Sequence, residues 1–233
     1  MSAELDWPRI GRVGGLLALV AGVGFAVVTV VVVTAPGMVT QVDVSLNQTV
    51  TAWATANEWL VDVCLFLEVI GGVKFSTGLV VVIMLGLLAW GRFGRPLPVP
   101  TLAAIFLAMS AAGGALLNTV LKELIQRERP PTNGTWLLQE SLSFPSGHAQ
   151  SGISVWVVLG LISLVLIPGG VRWLVGLALI VVGVAIGASR VIIGVHWPTD
   201  VLGGWLLGLT WLGICLLVMR AIVRSQEPAE LQN

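Results

Sequence analysis

The chain has 233 residues, of which 56% are hydrophobic and 10% charged. A soluble domain carries roughly 25% charged residues, so the ordinary soluble classes are excluded. Twelve Lys and Arg balance twelve Asp and Glu, which leaves no bulk basic field to draw nucleic acid.

Apolar runs long enough to cross a bilayer recur along the chain. Arg9 and Arg12 precede a first run over about 13–33, too long for the apolar part of a signal peptide, so it reads as an uncleaved first span at 11–34. Further spans are predicted at about 73–90, 99–122, 147–167, 173–190 and 200–222. Pro36-Gly37, the stretch from Arg92 to Pro96, Pro168-Gly169-Gly170 and Trp197-Pro198 break helices between them. The predicted fold is therefore all-α: a six-span transmembrane bundle in one unit over 1–233, with a short polar tail at 225–233. Cys64 and Cys215 lie in separate apolar stretches without metal-ligand spacing and read as packing residues.

The segment 38–70 is different. Val39, Val42, Leu46, Val50 and Trp53 recur at helical spacing, with Thr40, Gln41, Asp43, Asn47 and Gln48 between them. That is an amphipathic pattern suited to the membrane surface. The piece from 59 to 70 is apolar, short, and carries Asp62 and Glu68, so interfacial helices are expected between spans 1 and 2. Two roles stay open for them: simple packing against the bundle, or shaping a side entrance for a lipid.

Orientation follows from Lys and Arg in the loops. With a cytoplasmic N-terminus, Arg9, Arg12, Arg92, Arg95, Arg172, Arg220 and Arg224 lie inside, whereas Lys74, Lys122, Arg127, Arg129 and Arg190 lie outside. Three of the outer group belong to the motifs below, and setting them aside favours both termini inside. Tryptophans form a belt, with Trp7, Trp90 and Trp173 near inner ends and Trp59, Trp136 and Trp197 near outer ends.

Three polar clusters sit where spans end. They are Lys122-x6-Arg129-Pro130, Pro145-Ser146-Gly147-His148, and Ser189-Arg190-x5-His196-x3-Asp200. Alternating spans bring all of them to one side, and both histidines of the chain fall there. Ionisable groups at a membrane are costly and usually functional. Lys122, Arg129 and Arg190 supply three positive charges suited to phosphate oxygens. Ser146 and Gly147 open a helix, whose amides and dipole favour the same anion. Asp200 stands four residues after His196, close enough to fix an imidazole tautomer, which leaves His148 as a general acid. No carboxylate cluster offers a magnesium site, so no metal or cofactor is expected. Lys122 and Arg190 have a plainer reading as interfacial anchors. Arg127 pairs more naturally with Glu123, four residues earlier, than with a ligand. Glu68 lines the pocket or sits at a solvated helix end.

These residues resemble the type-2 phosphatidic-acid phosphatase family, which shares its site with vanadium haloperoxidases and glucose-6-phosphatase. Every motif position is filled, over 122–200. The resemblance implies that His196 attacks phosphorus to give a phosphohistidine, that Asp200 orients His196, and that His148 protonates the leaving oxygen and then activates water. Lys122, Arg129, Ser146, Gly147 and Arg190 would hold the phosphate. The expected partner is a lipid phosphate or diphosphate in the membrane, met on the extracytoplasmic side: phosphatidic acid, phosphatidylglycerol phosphate or a polyprenyl diphosphate. Phosphotransfer to an alcohol, hydrolysis of a soluble phosphomonoester, and a non-enzymatic transporter or scaffold are the alternatives.

Overall fold

A computed structural model describes residues 5–93, 98–131 and 141–226. Among the described residues there is no strand. In chain order the helices are α1 (Trp7–Thr34), α2 (Pro36–Thr55), α3 (Glu58–Gly71), α4 (Val73–Phe93), α5 (Pro98–Ile125), α6 (Gly147–Ser151), a π-helical stretch (Gly152–Val157), α7 (Val158–Leu166), α8 (Val171–Ile192) and α9 (Pro198–Gln226).

Six stretches are long and apolar enough to cross a membrane: Trp7–Thr34, Val73–Arg92, Val99–Ile125, Gly147–Leu166, Val171–Ile192 and Pro198–Ser225. They fall on the six predicted spans and extend several of them by a few residues, because helix starts are fixed by local chemistry. Asp6 accepts from the Arg9 amide at 2.8 Å to cap α1, and Pro198 opens α9, where a missing N–H costs nothing. Outward faces are apolar along their length, as at Leu16, Leu19, Val23 and Val27 of α1 or Leu174, Leu177 and Val181 of α8. Such a surface is matched to lipid, not water.

The fourth span is the axis of the bundle: 72% of its most apolar window is buried, against 11–33% for the others. Its backbone meets that of α8 directly. A Cβ on Gly152 would stand 2.2 Å from the Gly183 carbonyl oxygen, and one on Gly183 would stand 2.4 Å from that of Gly152. Small residues let apolar helices approach this closely, and dispersion then holds them. α1 runs antiparallel to α9, with Gly14 against Gly213 and Leu216 and Gly24 against Leu206. The start of α1 and the end of α9 therefore share one end of the bundle. Leu107, Val158, Ile186 and Cys215 form the fully buried centre. Cys64 and Cys215 are both free thiols within packed surroundings.

α2 and α3 fill the predicted interfacial segment, and α2 follows the expected pattern at some positions and departs from it at others. Val39 is buried and Thr40, Gln41 and Gln48 are exposed, as the pattern implied. Val42, Leu46 and Trp53 are exposed, while Asp43 is completely buried. The cause at Asp43 is the neighbour: α2 packs against α8 and α9, whose polar groups need partners. Of the tryptophans expected in a belt, Trp59, Trp90 and Trp173 are exposed. Trp197 departs from it. This ring is buried, donates from Nε1 to the Glu128 carbonyl at 3.1 Å, and lies under the Arg127 guanidinium. Arg95, Trp136 and residues 227–233 of the tail lie outside the described residues.

Candidate active site

The segment joining α8 to α9 makes the site. Gly194 takes φ +73°, a left-handed conformation that glycine adopts without strain. That turn lets the Val195 and His196 amides both donate to the Arg190 carbonyl, at 3.1 and 3.2 Å. The chain thus returns over the end of α8 and sets His196 beside Arg190 in sequence space and in fold. Asp200 stands in the first turn of α9, where a carboxylate is favoured by the helix dipole. Its Oδ2 reaches back to the Trp197 amide at 2.9 Å, the reciprocal half of a capping box.

His196 is 2% exposed. Its Nδ1 lies 3.3 Å from Asp200 Oδ2, and its Nε2 lies 3.1 Å from Arg129 Nη1. A guanidinium can only donate, so Nε2 must be the accepting nitrogen and the ring proton sits on Nδ1, facing Asp200. Burial pushes the His196 pKa down to about 3. The hydrogen bond and charge of Asp200 oppose that shift, whereas Arg129 and Lys122 reinforce it. The imidazole is therefore neutral, with a lone pair on Nε2. Asp200 is further held by the Ser143 hydroxyl, which donates to Oδ2.

Arg129 is fixed on three sides: Nε donates to the Ser141 carbonyl at 2.6 Å, Nη2 to Ser141 Oγ at 2.9 Å, and Nη1 to the Val195 carbonyl at 2.6 Å. Burial lowers its pKa from the ordinary arginine value, and Asp200 opposes the shift. It remains a cation. Lys122 donates to the Leu142 carbonyl. Ser146 caps α6 through the Ala149 amide at 3.4 Å, and its own amide donates to the Asp200 carbonyl at 3.0 Å, which ties the start of the fourth span to the start of the sixth. Gly147 follows as the first residue of α6.

A second group adjoins the first. Arg190 is completely buried, and its Nη1 forms an ion pair with Glu68 Oε2. Its Nε and Nη2 have no hydrogen-bond partner among the described residues. His148 Nε2 lies 3.5 Å from the same Glu68 oxygen and 3.3 Å from the Glu68 carbonyl.

The structure thus joins His196, Asp200 and Arg129 in direct contact, links Arg190 and His148 through Glu68, and holds Lys122, Ser146 and Gly147 in the same end of the bundle. Glu68 lines the site and is not a solvated helix end. Arg127 does not pair with Glu123. Gln126 takes φ +53° and ends the helix, so the regular four-residue neighbour is lost. Arg127 turns inward instead, to Asp43 at 2.7 Å and Asp200 at 2.6 Å. Ser143 and Asp43 carried no chemical signal in the sequence. Asp43 did belong to a polar stripe with Asn47 and Thr51 at four-residue spacing, which marks one helix face. Among the described residues no cluster of three or more His, Cys, Asp or Glu is placed to hold a metal.

Residues 102–224 match the family model of the PAP2 superfamily. The chain is 33% identical over 153 residues to phosphatidylglycerophosphatase B of Bacillus subtilis (strain 168), covering 65% of this chain and 71% of that protein. It is 35% identical over 144 residues to an undecaprenyl-diphosphatase of Sulfolobus acidocaldarius, covering 56% of this chain and 66% of that one. In three dimensions it is similar to the crystal structure of a transmembrane PAP2-type phosphatidylglycerolphosphate phosphatase from Bacillus subtilis, with a TM-score of 0.74 and 25% identity, over 91% of this chain and 98% of the other. Six spans, a family match across more than half of the chain, and this likeness in sequence and fold lead to one conclusion: the chain belongs to the PAP2 superfamily, as a multi-pass membrane protein.

Proposed function

We propose that this protein is a phosphatase that removes phosphate from a membrane lipid phosphate or diphosphate through a covalent histidine intermediate. The observation that carries the mechanism is the state of His196. Its Nδ1 faces Asp200, and its Nε2 lone pair faces Arg129; at the same end of the bundle Arg190 is buried with Nε and Nη2 unpartnered among the described residues. A neutral imidazole whose lone pair meets a guanidinium is suited to attack phosphorus in a phosphate ester.

In this reading Nε2 of His196 bonds to phosphorus as the bond from phosphorus to the lipid oxygen breaks. His148 gives its proton to that oxygen. Water then attacks the phosphohistidine, His148 takes the water's proton, and the phosphorus–nitrogen bond breaks to release inorganic phosphate. Asp200 stabilises the imidazole as positive charge develops on it. Lys122, Arg129, Arg190, the Ser146 hydroxyl and the Gly147 amide take up the charge of the transition state. Three cations do the electrostatic work, so the reaction needs no metal.

The names of the relatives favour phosphatidylglycerol phosphate and polyprenyl diphosphate as substrates, with phosphatidic acid as a third. Four of the five site-end cations, Lys122, Arg127, Arg129 and Arg190, are engaged by site groups, which leaves Lys74. Arg9, Arg12, Arg92, Arg172, Arg220 and Arg224 occupy the other end. By the charge bias of cytoplasmic loops, both termini are cytoplasmic and the site faces the extracytoplasmic side.

The test is phosphate release by purified protein in detergent, with EDTA present, across those three lipids and a soluble phosphomonoester. Release from a lipid that persists in EDTA and vanishes in His196→Ala is the expected result. Complete loss in EDTA with restoration by magnesium would overturn the metal-free mechanism, and preference for the soluble ester would overturn the lipid assignment.

A further inference from the structure

The inner face of α2 has a use. Asp43, Asn47 and Thr51 line its inner side, against the segment that carries His196 and Asp200. Asp43 Oδ1 accepts from the Thr199 amide at 3.0 Å, and Oδ2 accepts from Thr199 Oγ1 at 2.6 Å and from Arg127 Nη2 at 2.7 Å. Arg127 Nη1 in turn donates to Asp200 Oδ1 at 2.6 Å and to Thr199 Oγ1 at 2.7 Å. Asn47 Nδ2 donates to the His196 carbonyl at 3.2 Å. Asp43 and Asp200 are both completely buried, and one guanidinium is shared between them. A buried carboxylate keeps its charge only when it is paired and hydrogen-bonded in this way.

The two oxygens of Asp200 are divided between two duties. Oδ2 faces His196 Nδ1, Ser143 Oγ and the Trp197 amide. Oδ1 belongs to Arg127. Were Oδ1 free, the carboxylate could rotate about its Cβ–Cγ bond and lose its alignment with the imidazole. Arg127 prevents that rotation, and Asp43 prevents Arg127 from moving.

We propose that Arg127 and Asp43 are positioning residues for the reaction at His196: Arg127 locks Asp200, and Asp43 locks Arg127 from the interfacial helix α2. This rests on the reading of His196 as nucleophile. Neither residue touches the face of His196 that meets phosphate, and Arg129, Arg190 and Lys122 make no contact with Arg127 or Asp43 in the hydrogen bonds and ion pairs above. Loss of the lock therefore lowers turnover and leaves substrate capture intact. It also makes α2 a rigid link between the lipid interface, where Val42, Leu46 and Trp53 are exposed, and the orientation of the nucleophile.

The experiment measures kcat and KM separately for wild type, His196→Ala, Arg127→Ala, Arg127→Lys, Asp43→Asn and Thr199→Val. The substrate is whichever of the three lipids the wild type turns over fastest, in mixed micelles. Arg127→Ala and Asp43→Asn are expected to lower kcat about 10- to 100-fold with little change in KM, the size usual for groups that orient a ligating or reacting side chain. Arg127→Lys restores part of the loss, because an ammonium reaches one carboxylate but not both. Thr199→Val deletes the bridging hydroxyl without stranding a charge and keeps the fold; it lowers kcat about threefold to tenfold. The double variant Arg127→Ala/Asp43→Asn is no worse than Arg127→Ala alone, since both remove one lock. Wild-type kcat in Arg127→Lys and Thr199→Val would overturn the proposal, and so would a raised KM at unchanged kcat. Activity retained in His196→Ala would instead overturn the nucleophile assignment, whatever the Arg127 and Asp43 variants do.

Discussion

At one end of the bundle, His196, Asp200, Arg190 and Asp43 are each no more than 2% exposed, and charged groups fill the space between the helices. At the other end, α1, α5, α7 and α9 line an open cleft of about 390 Å³ with Trp7, Leu102, Phe106, Ile162 and Met219 on its walls. This cavity and the charged cluster thus lie at opposite ends of the bundle. The apolar cavity costs only lost packing, and lipid or detergent chains can enter it. The charged end costs desolvation at every group, which a fold retains where function needs it. Converging buried charge is what supports placing the proposed site at its end of the bundle.

The largest effects that test this contrast are expected at the proposed nucleophile His196 and its partner Asp200. His196→Ala is expected to lower kcat at least about 10³-fold, and Asp200→Asn about 10²- to 10⁴-fold. Met219→Leu, at the cavity end, is expected to leave kcat within about twofold, since the swap nearly conserves volume. Comparable losses at both ends, measured as initial rates of phosphate release, would break the contrast. Next in size, Arg190→Ala is expected to cost about 10²- to 10³-fold in kcat/KM, by removal of a donor aimed at developing charge.

Acid separates the two ends in stability. His196 has a folded pKa of about 3, against roughly 6.5 in an unfolded chain. Between those values the unfolded state binds more protons, so stability falls as pH drops through this window. The Tm in detergent should decline from pH 6.5 toward pH 4, and His196→Gln should decline less over the same range. An equal decline would place the acid-sensitive group elsewhere. Smallest is the effect of filling the cavity. Ala103, 9% exposed on its wall, changed to Val should raise Tm by a few degrees at most, on the order of 1 kcal/mol, with kcat unchanged.

Much of this was legible in the residues. Six spans follow from apolar length alone, and the alternation of spans brings Lys122, His148, Arg190 and His196 to one end without any knowledge of packing. Local pattern also suggested the contact of His196 with Asp200, because four residues across a helix start place them together. What the sequence hid depends on tertiary neighbours. Arg127 reads as a partner of Glu123 only while the helix continues, and the left-handed turn at Gln126 ends it. Asp43 reads as the wet side of an amphipathic helix. Its burial depends on Thr199 and Arg127, which come from α9 and from the segment after α5. Glu68 looked like a stray acid because its partners, Arg190 and His148, come from spans far along the chain.

The backbone contact between Gly152 and Gly183 has a bearing on the geometry of catalysis. Gly152 follows His148 by about one helical turn, and Gly183 precedes Arg190 by about two. The separation of the proposed acid from the proposed phosphate cradle is therefore gauged by two hydrogen atoms where the fourth and fifth spans touch. The smallest side chain added at either glycine acts as a shim. It would spread the spans and carry His148 away from Arg190, leaving each motif intact in sequence and mismatched in space.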